Sequence, residues 1–484
     1  MAAARRLSPK SAVAITYVAS LFMSAMDNHI VNVMIPTLSR QFHSPLASVQ
    51  WTTIGYVLSL AVFIPASGWF GDRFGTKRMF LVALFTFTLA SAACGQAHSL
   101  VELVTARIVQ GAGGGMLTPV ATAMLYRAYP PAERARMTRL LVVPVLLGPI
   151  LAQPIGGLLV TKASWRWAFY LNVPIGIAAF FLSVAYLVEH REPSRGRFDV
   201  PGFVLSGGGL SALLYAITEG ALRGWGSATV IGTGLIGIAA LALFVRVEQR
   251  QAHPLLNVRL MSDRIFRATN VVNAFNTIAF GGLLFLAPLF LQEAEGQTAL
   301  NSGLTTFFTA CGVMCSTQTI GRTYPRIGPR RMTAVSQLSF AVMLCSFVFV
   351  GSGVNLWIVR VLLFLAGACN GGTQIALQTS MFSTISPADT GSGAAIFNAA
   401  RQSATAIGVS IFTVVISSVH SSRLAAFHVT FAVAAGFCVL AAISAEWLIH
   451  DSDAAATMKP RTLVADRLAQ PSIPSGNLSS TTLE

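Results

Sequence analysis

The chain has 484 residues, of which 54% are hydrophobic and only 11% charged. Soluble domains carry roughly 25% charged residues, so this composition excludes a string of soluble domains and places most of the chain in lipid. The formal charge of +15 has the size of a nucleic-acid signal, but a multi-span membrane protein reaches it through basic cytosolic loops, and no nucleic-acid partner is expected.

Apolar runs of about 18 residues or more read as membrane spans. Fourteen are predicted, over residues 11–34, 49–70, 79–97, 101–125, 138–160, 166–188, 201–219, 227–246, 266–291, 301–321, 332–351, 355–382, 392–417 and 424–449. Arg5, Arg6 and Lys10 precede the first run, which is too long for a secretory signal core and has no small-residue cleavage site. Pro130-Pro131, Pro193 to Gly196, Gly224 to Gly226, Pro325 and Pro387 punctuate the breaks.

With the amino terminus in the cytosol, 25 of the 33 basic residues fall on inside segments and 5 on outside segments. The other 3, Arg107, Arg360 and Arg401, lie within spans. This bias predicts two cytosolic termini. The inside loop near Ser386 to Thr390, with no basic residue, is its weak point.

GWFGDRFGTKR, Gly68 to Arg78, returns as GRTYPRIGPRR, Gly321 to Arg331, at an offset of 253 residues. The same offset carries Arg107 onto Arg360 and Gly114 onto Gly367. A fixed offset linking unusual residues predicts two related halves, the plan of many secondary transporters. The expected organisation is an all-α integral membrane protein. It has a cytosolic amino terminus (1–10), a six-helix bundle (11–190), two inserted spans with linkers (191–264), a second six-helix bundle (265–450) and a polar cytosolic tail (451–484) expected to be disordered. The six cysteines all fall in apolar runs and read as packing residues. Cys311 and Cys315 share a helix face without a histidine or carboxylate to complete a metal site, so no metal is expected.

These residues resemble a family. Gly68-x-x-Gly71-Asp72-Arg73-x-Gly75-x-Lys77-Arg78 is similar to motif A of the major facilitator superfamily. MDNHIVNVMIP (Met26 to Pro36), Arg107-x-x-Gln110-Gly111 continuing to Gly115, and WRWAFYLNVPIG (Trp165 to Gly176) resemble motifs of its fourteen-span drug:proton antiporter branch, the EmrB/QacA type. So does the inside-loop string HPLLNVRL. The resemblance covers about residues 11–450 and implies the major facilitator fold, proton-coupled export of small amphipathic compounds, and a cytosolic latch formed by Gly68, Gly71, Asp72, Arg73, Gly75, Lys77 and Arg78. Three features depart from the pattern. His29 stands where a threonine is usual. The fifth span keeps Gly156 and Gly157 but reads Ala152-Gln153 where a Gly-Pro pair is usual, with Pro149 and Pro154 nearby. The outside loop before the last span is short, which makes an adaptor or outer-membrane partner unexpected; a monomer in the inner membrane is the expected working form.

Asp27 is the only carboxylate predicted deep in a span, and an ionisable group there is costly unless it has a function or a partner. It lies about 10 Å from the outer end of its span, and Arg107 about 9 Å from the same side of its own, at 1.5 Å per residue. Burial disfavours an ionised carboxylate and a neighbouring guanidinium favours it. A change in water access or in the Arg107 distance would therefore make Asp27 take up or release a proton. The alternative is a permanent pair that only joins the first and fourth spans. Asn28, His29 and Asn32 form a polar arc beside Asp27, for substrate contact or for helix packing. Trp51, Tyr56, Gln110, Phe275, Asn276, Arg360 and Gln378 are further candidates for the substrate cavity. No catalytic cluster and no phosphate-binding G-x-x-x-x-G-K-[ST] loop occurs. The expectation is a carrier and not an enzyme, with the proton gradient as energy source and no cofactor. A symporter or uniporter on the same fold is the alternative.

Overall fold

The computed structural model describes residues 9–129, 148, 151–191, 198–251, 256–319, 323–351, 353–381, 383–385, 390–419 and 422–454. Helices dominate and no strand occurs among the described residues. In chain order they are α1 (Pro9–Gln41), α2 (Leu46–Val49), α3 (Trp51–Phe74), α4 (Thr76–Gln96), α5 (Leu100–Ala128), α6 (151–162), α7 (Arg166–Tyr170) and α8 (Asn172–Tyr186). There follow α9 (Val200–Arg223), α10 (Ala228–Arg250), α11 (Arg264–Glu293), α12 (Ala299–Thr319), α13 (Tyr324–Ile327), α14 (Pro329–Ser346), α15 (Leu356–Met381), α16 (Thr390–Ser418) and α17 (Arg423–Leu448).

Among the described residues, 12 helices are long and apolar enough to cross a membrane. The predicted span 301–321 is present as α12, which is not one of these, and of 138–160 only residue 148 and 151–160, as part of a helix, fall within the described residues. The chain ends, the loop at 386–389, Gly321 and Arg322 also fall outside them.

Two groups of helices result. In the first, α5 packs on α3, α4 and α1, while α8 packs on α1 and α4. In the second, α15 packs on α12 and α14, while α17 and α16 pack on α11. The hairpin of α9 and α10 lies against α3 and α16.

Glycines set the closest approaches. A Cβ at Gly111 would collide with the Tyr56 carbonyl oxygen, and one at Gly115 would stand 2.7 Å from that of Leu60, so α5 rides directly on the α3 backbone. The second group repeats this contact. Gly367 lies on the Thr309 carbonyl, and a Cβ at Gly371 would stand 2.9 Å from the Val313 oxygen. Thr309 and Val313 are Tyr56 and Leu60 displaced by 253, but Gly367 and Gly371 are Gly111 and Gly115 displaced by 256. The constant offset expected from sequence therefore breaks before α15. The 350–355 connection is three residues longer than the 97–99 connection. A three-residue slip turns a helix by about 300°. The positional counterpart of Arg107 is thus Leu363, and Gly367 answers to Gly111 instead of Gly114.

Both duplicated turns need a glycine. Gly75 (φ 102°) and Gly328 (φ 82°) are left-handed positions, and each is covered by a carboxylate from beyond the last helix of its own group. Glu189 accepts from the backbone N–H of Lys77 (3.0 Å) and Arg78 (3.3 Å), while Asp451 accepts from that of Arg330 (3.1 Å). These acids satisfy donors at the starts of α4 and α14 that the helix itself leaves open.

The groups meet where α1 ends. Gln292 of α11 donates to the Val33 carbonyl (3.0 Å), and the Leu300 N–H donates to Thr161 Oγ1 (3.1 Å). Thr413 of α16 donates to Gln50 Oε1. A Cβ at Gly157 would collide with the Ala299 carbonyl, and one at Gly303 with that of Gln153. This end of the seam is shut.

Candidate functional site

The site is assembled by α1, α3, α4, α5 and α8. A capping box fixes the start of α5: Ser99 Oγ accepts from the Glu102 N–H (3.2 Å), and Glu102 Oε2 accepts from the His98 N–H (2.9 Å). Arg107 follows two turns later. Because Gly111 lets α5 lie on α3, its guanidinium reaches the Thr52 carbonyl (Nε donating, 3.0 Å) and stands 3.9 Å from the centre of the Tyr56 ring.

Arg107 Nη1 donates to Asp27 Oδ2 and to Gln110 Oε1 (2.8 Å). The other carboxylate oxygen, Oδ1, accepts from Gln110 Nε2 (2.8 Å) and Asn172 Nδ2 (2.9 Å). Asn172 Nδ2 also donates to Ser91 Oγ (3.1 Å), which in turn donates to the Phe169 carbonyl (2.8 Å). Asp27 and Arg107 are both 0% exposed. Three donors aimed at two oxygens suit an ionised carboxylate, which only accepts. Arg107 Nη2 has no hydrogen-bond partner among the described residues.

The structure thus brings together Asp27, Arg107, Gln110 and Tyr56 from the sequence candidates. Tyr56 and Gln110 belong to this sealed centre and are fully buried. Asn28 and His29 are half-buried on α1. The His29 carbonyl accepts from Gln153 Nε2 (3.3 Å), and Asn32 is buried with its Oδ1 unpartnered among the described residues. Trp51 is half-buried at the start of α3.

Other candidates lie elsewhere. Arg360, three residues short of Arg107's positional counterpart, stands beside Trp357 (4.7 Å to the ring centre, that residue 59% exposed) and reaches Thr305 Oγ1 (3.4 Å). Phe275 packs beside Phe437 within the second group. Asn276 is fully buried and accepts from Gln337, which also donates to Thr373 Oγ1 (3.0 Å). Gln378 is exposed near the end of α15.

In the latch motif, Gly71 accepts from the Gly75 N–H (3.0 Å), a Cβ at Gly68 would meet open space, and Arg73 is exposed. Lys77 Nζ donates to the Val184 carbonyl (2.8 Å), and Arg78 Nε lies 3.8 Å from Glu189. These contacts stay within the first group. The Asp72 side chain and Pro149 are outside the described residues. Gln153, Gly156 and Gly157 wedge α6 between α1 and α12, and Pro154 is half-buried beside them.

Sequence reasoning missed Asn172, Ser91 and Glu189. Asn172 sits inside the string WRWAFYLNVPIG, so its signal was present as a motif without a role.

A family model described as Major Facilitator Superfamily matches residues 17–202 and 200–409. The chain belongs to the major facilitator superfamily. Among curated relatives it is 30% identical over 397 residues to "Putative multidrug resistance protein MdtD" of Serratia proteamaculans, spanning 82% of this chain and 83% of that one. It is 31% identical over 399 residues to "Multidrug resistance protein B homolog" of Mycobacterium tuberculosis, spanning 82% and 74%. Among solved structures it is similar to a D-xylose-proton symporter, with TM-score 0.68 and 15% identity over 92% of this chain and 98% of that one. A second neighbour is the nucleoside transporter NupG, with TM-score 0.66 and 11% identity over 92% and 100%. At these identities the structural likeness speaks to the fold alone. This member of the superfamily is a secondary transporter and not an enzyme: a multi-pass membrane protein that binds small-molecule substrates in the bilayer.

Proposed function

We propose that this chain is a proton-coupled exporter of small amphipathic compounds, a member of the fourteen-span drug:proton antiporter branch. It lies in the plasma membrane with both termini cytosolic, and two six-helix bundles flank the inserted pair α9 and α10. Alternating access moves substrate along the seam between the bundles. In this frame the shut end of the seam is the outer one, and the molecule is in an inward-facing state.

The observation that carries the reading is Asp27, a fully buried carboxylate held by Arg107, Gln110 and Asn172 from two other helices. If the outward-facing state draws α5 away from α1, Arg107 leaves the carboxylate, and Asp27 must then take a proton or bear an uncompensated buried charge. Proton uptake on one side and release on the other couples the gradient to the rocking of the bundles. The motif A turn acts as the cytosolic latch in the outward-facing state, where Asp72 and Arg73 would meet the second bundle. The names of the curated relatives support drug export. The relevant experiment is growth of an efflux-deficient host on a compound panel with wild type or Asp27→Asn. Resistance conferred by wild type alone supports the reading; equal resistance from both removes Asp27 from the mechanism.

A substrate-specific symporter or uniporter on the same fold is the second reading. The observation favouring it is Gln153, which stands where the resemblance leads one to expect a Gly-Pro pair and donates to the His29 carbonyl of α1.

A further inference from the structure

Three of the 5 basic residues on outside segments, Arg40, Lys162 and Arg166, belong to one corner, where α1 and α6 end and α7 begins. A cavity of about 480 Å³ opens there. It is lined by Thr37, Arg40 and Gln41 of α1, Val160 and Thr161 of α6, and Ala299 of α12. Arg166 stands one ring away. Its guanidinium lies 4.5 Å from the centre of the Trp165 ring, and Trp165 Nε1 donates to Gln41 Oε1 (2.6 Å). No carboxylate forms an ion pair with Arg40, Lys162 or Arg166 among the described residues. Acids on that side are engaged elsewhere: Glu102 accepts from the His98 N–H, Glu293 pairs with Arg423 (3.0 Å), and Glu295 accepts from the Gly353 N–H (3.0 Å).

The lining offers hydrogens more than lone pairs. Gln41 Oε1 is taken by Trp165, which leaves the amide nitrogen to donate. Thr161 Oγ1 already accepts from the Leu300 N–H and keeps its own hydroxyl hydrogen. The Arg40 guanidinium adds a fork of N–H groups that fits phosphate oxygens. The cavity therefore suits an anion with several acceptor oxygens. Its depth points to the source of that anion. Arg40 lies thirteen residues beyond Asp27 on α1, about 20 Å along the helix. Phe42 stacks edge-on against Trp165 at this level, and Trp167 is 56% exposed, the aromatic signature of a bilayer–water boundary. Leu158, one turn before Thr161 on α6, is 47% exposed and continues the same helix face as an apolar track for an acyl chain.

We propose that this cavity receives the phosphate of an anionic phospholipid of the outer leaflet, with Arg40 as the residue that holds the charge. The choice of leaflet rests on the orientation proposed above. Ala299 belongs to the second group of helices and Thr37, Arg40 and Gln41 to the first, so opening this end of the seam takes the cavity apart. A ligand that binds one state alone shifts the equilibrium toward that state. The bound lipid thereby favours the state in which the outer end is shut.

The test measures binding to the purified full chain in detergent by native mass spectrometry. The probes are dioleoylphosphatidylglycerol, dioleoylphosphatidylcholine, dioleoylglycerol, which has no phosphate, and inorganic phosphate. Wild type is expected to bind phosphatidylglycerol at least tenfold more tightly than dioleoylglycerol, and more tightly than phosphatidylcholine. Arg40→Gln should weaken phosphatidylglycerol at least tenfold, and Arg40→Lys should restore part of the loss. Arg423→Gln, which removes an outer charge already paired with Glu293, should leave it unchanged. Equal phosphatidylglycerol binding by wild type and Arg40→Gln would overturn the proposal. So would dioleoylglycerol binding as tight as phosphatidylglycerol, or an Arg40-dependent site that takes inorganic phosphate and not the lipid. The shift in state is read by spin labels on cysteines replacing Gln96 and Gly351, two exposed positions, in a background without the native six. In nanodiscs, phosphatidylglycerol should enrich the short-distance population at least twofold over phosphatidylcholine, and Arg40→Gln should remove that response. The same response in Arg40→Gln would overturn the claim that this lipid holds the end shut. Binding in detergent needs neither a pH gradient nor a transported compound, so its failure leaves the coupling reading untouched, and failure of coupling leaves the lipid site standing.

Discussion

Asp27 and Arg107 are each fully buried, and at this depth neither is tolerable without the other. Removing one partner of a buried pair costs about 3–5 kcal/mol, because the remaining charge has nothing to replace it. Arg107→Leu is therefore expected to lower thermal stability in detergent markedly. Asp27→Asn, which keeps one oxygen and puts an amide nitrogen where the other stood, should cost less than Arg107→Leu. The double variant should be more stable than Arg107→Leu alone, because it no longer buries an orphan carboxylate. Melting curves of the three variants check the order; a double variant below Arg107→Leu would contradict it. The pairing was legible because acids are scarce: one carboxylate and one nearby-depth arginine leave few combinations. Asn172 was legible only as part of the WRWAFYLNVPIG string; its role was not, since nothing in the chain says which carboxylate its amide meets until the helices are placed. Arg360 misled for the opposite reason. It is as conspicuous as Arg107 in the chain, but its helix is rotated by the three-residue slip, and Leu363 fills the buried position.

The elements owe their arrangement to small residues more than to charge. Adding a methyl where a helix backbone already touches forces the pair apart, at a typical cost of about 1–3 kcal/mol. Gly111→Ala and Gly367→Ala are expected to destabilise by that order, since each new carbon would collide with a carbonyl oxygen of the partner helix. Gly232→Ala, where nothing lies within 4 Å, serves as the control and should be neutral or slightly stabilising, alanine being the better helix former. Glu189→Ala should cost about 1 kcal/mol through the lost donors' partner at the start of α4. Equal melting temperatures for the glycine variants and the control would show that the close approaches do not matter. The run Gly111 to Gly115 was readable as a packing surface. Which carbonyls it meets was not, and neither was the role of Glu189, whose partner turn lies over a hundred residues earlier in the chain.

At the scale of the whole molecule, the duplicated turns announced two related halves, and the apolar runs announced where most helices lie. The closed end of the seam had no sequence signal, because one sequence serves every state of a carrier. The helix contacts at Gln292, Thr161 and Thr413, with the close approaches at Gly157 and Gly303, define the present one. Cysteines introduced at Thr161 and Leu300 in a background without the native six are expected to cross-link and to stop transport until reduced. Free transport in the cross-linked chain would mean that this end does not open during the cycle. The central claim is that Asp27 couples proton movement to transport, and it is tested most directly in liposomes. Wild type should accumulate substrate under an imposed pH gradient. Asp27→Asn should retain substrate exchange at equal pH, yet lose gradient-driven accumulation by at least tenfold. Accumulation by Asp27→Asn that still follows the pH gradient as wild type does would contradict the account.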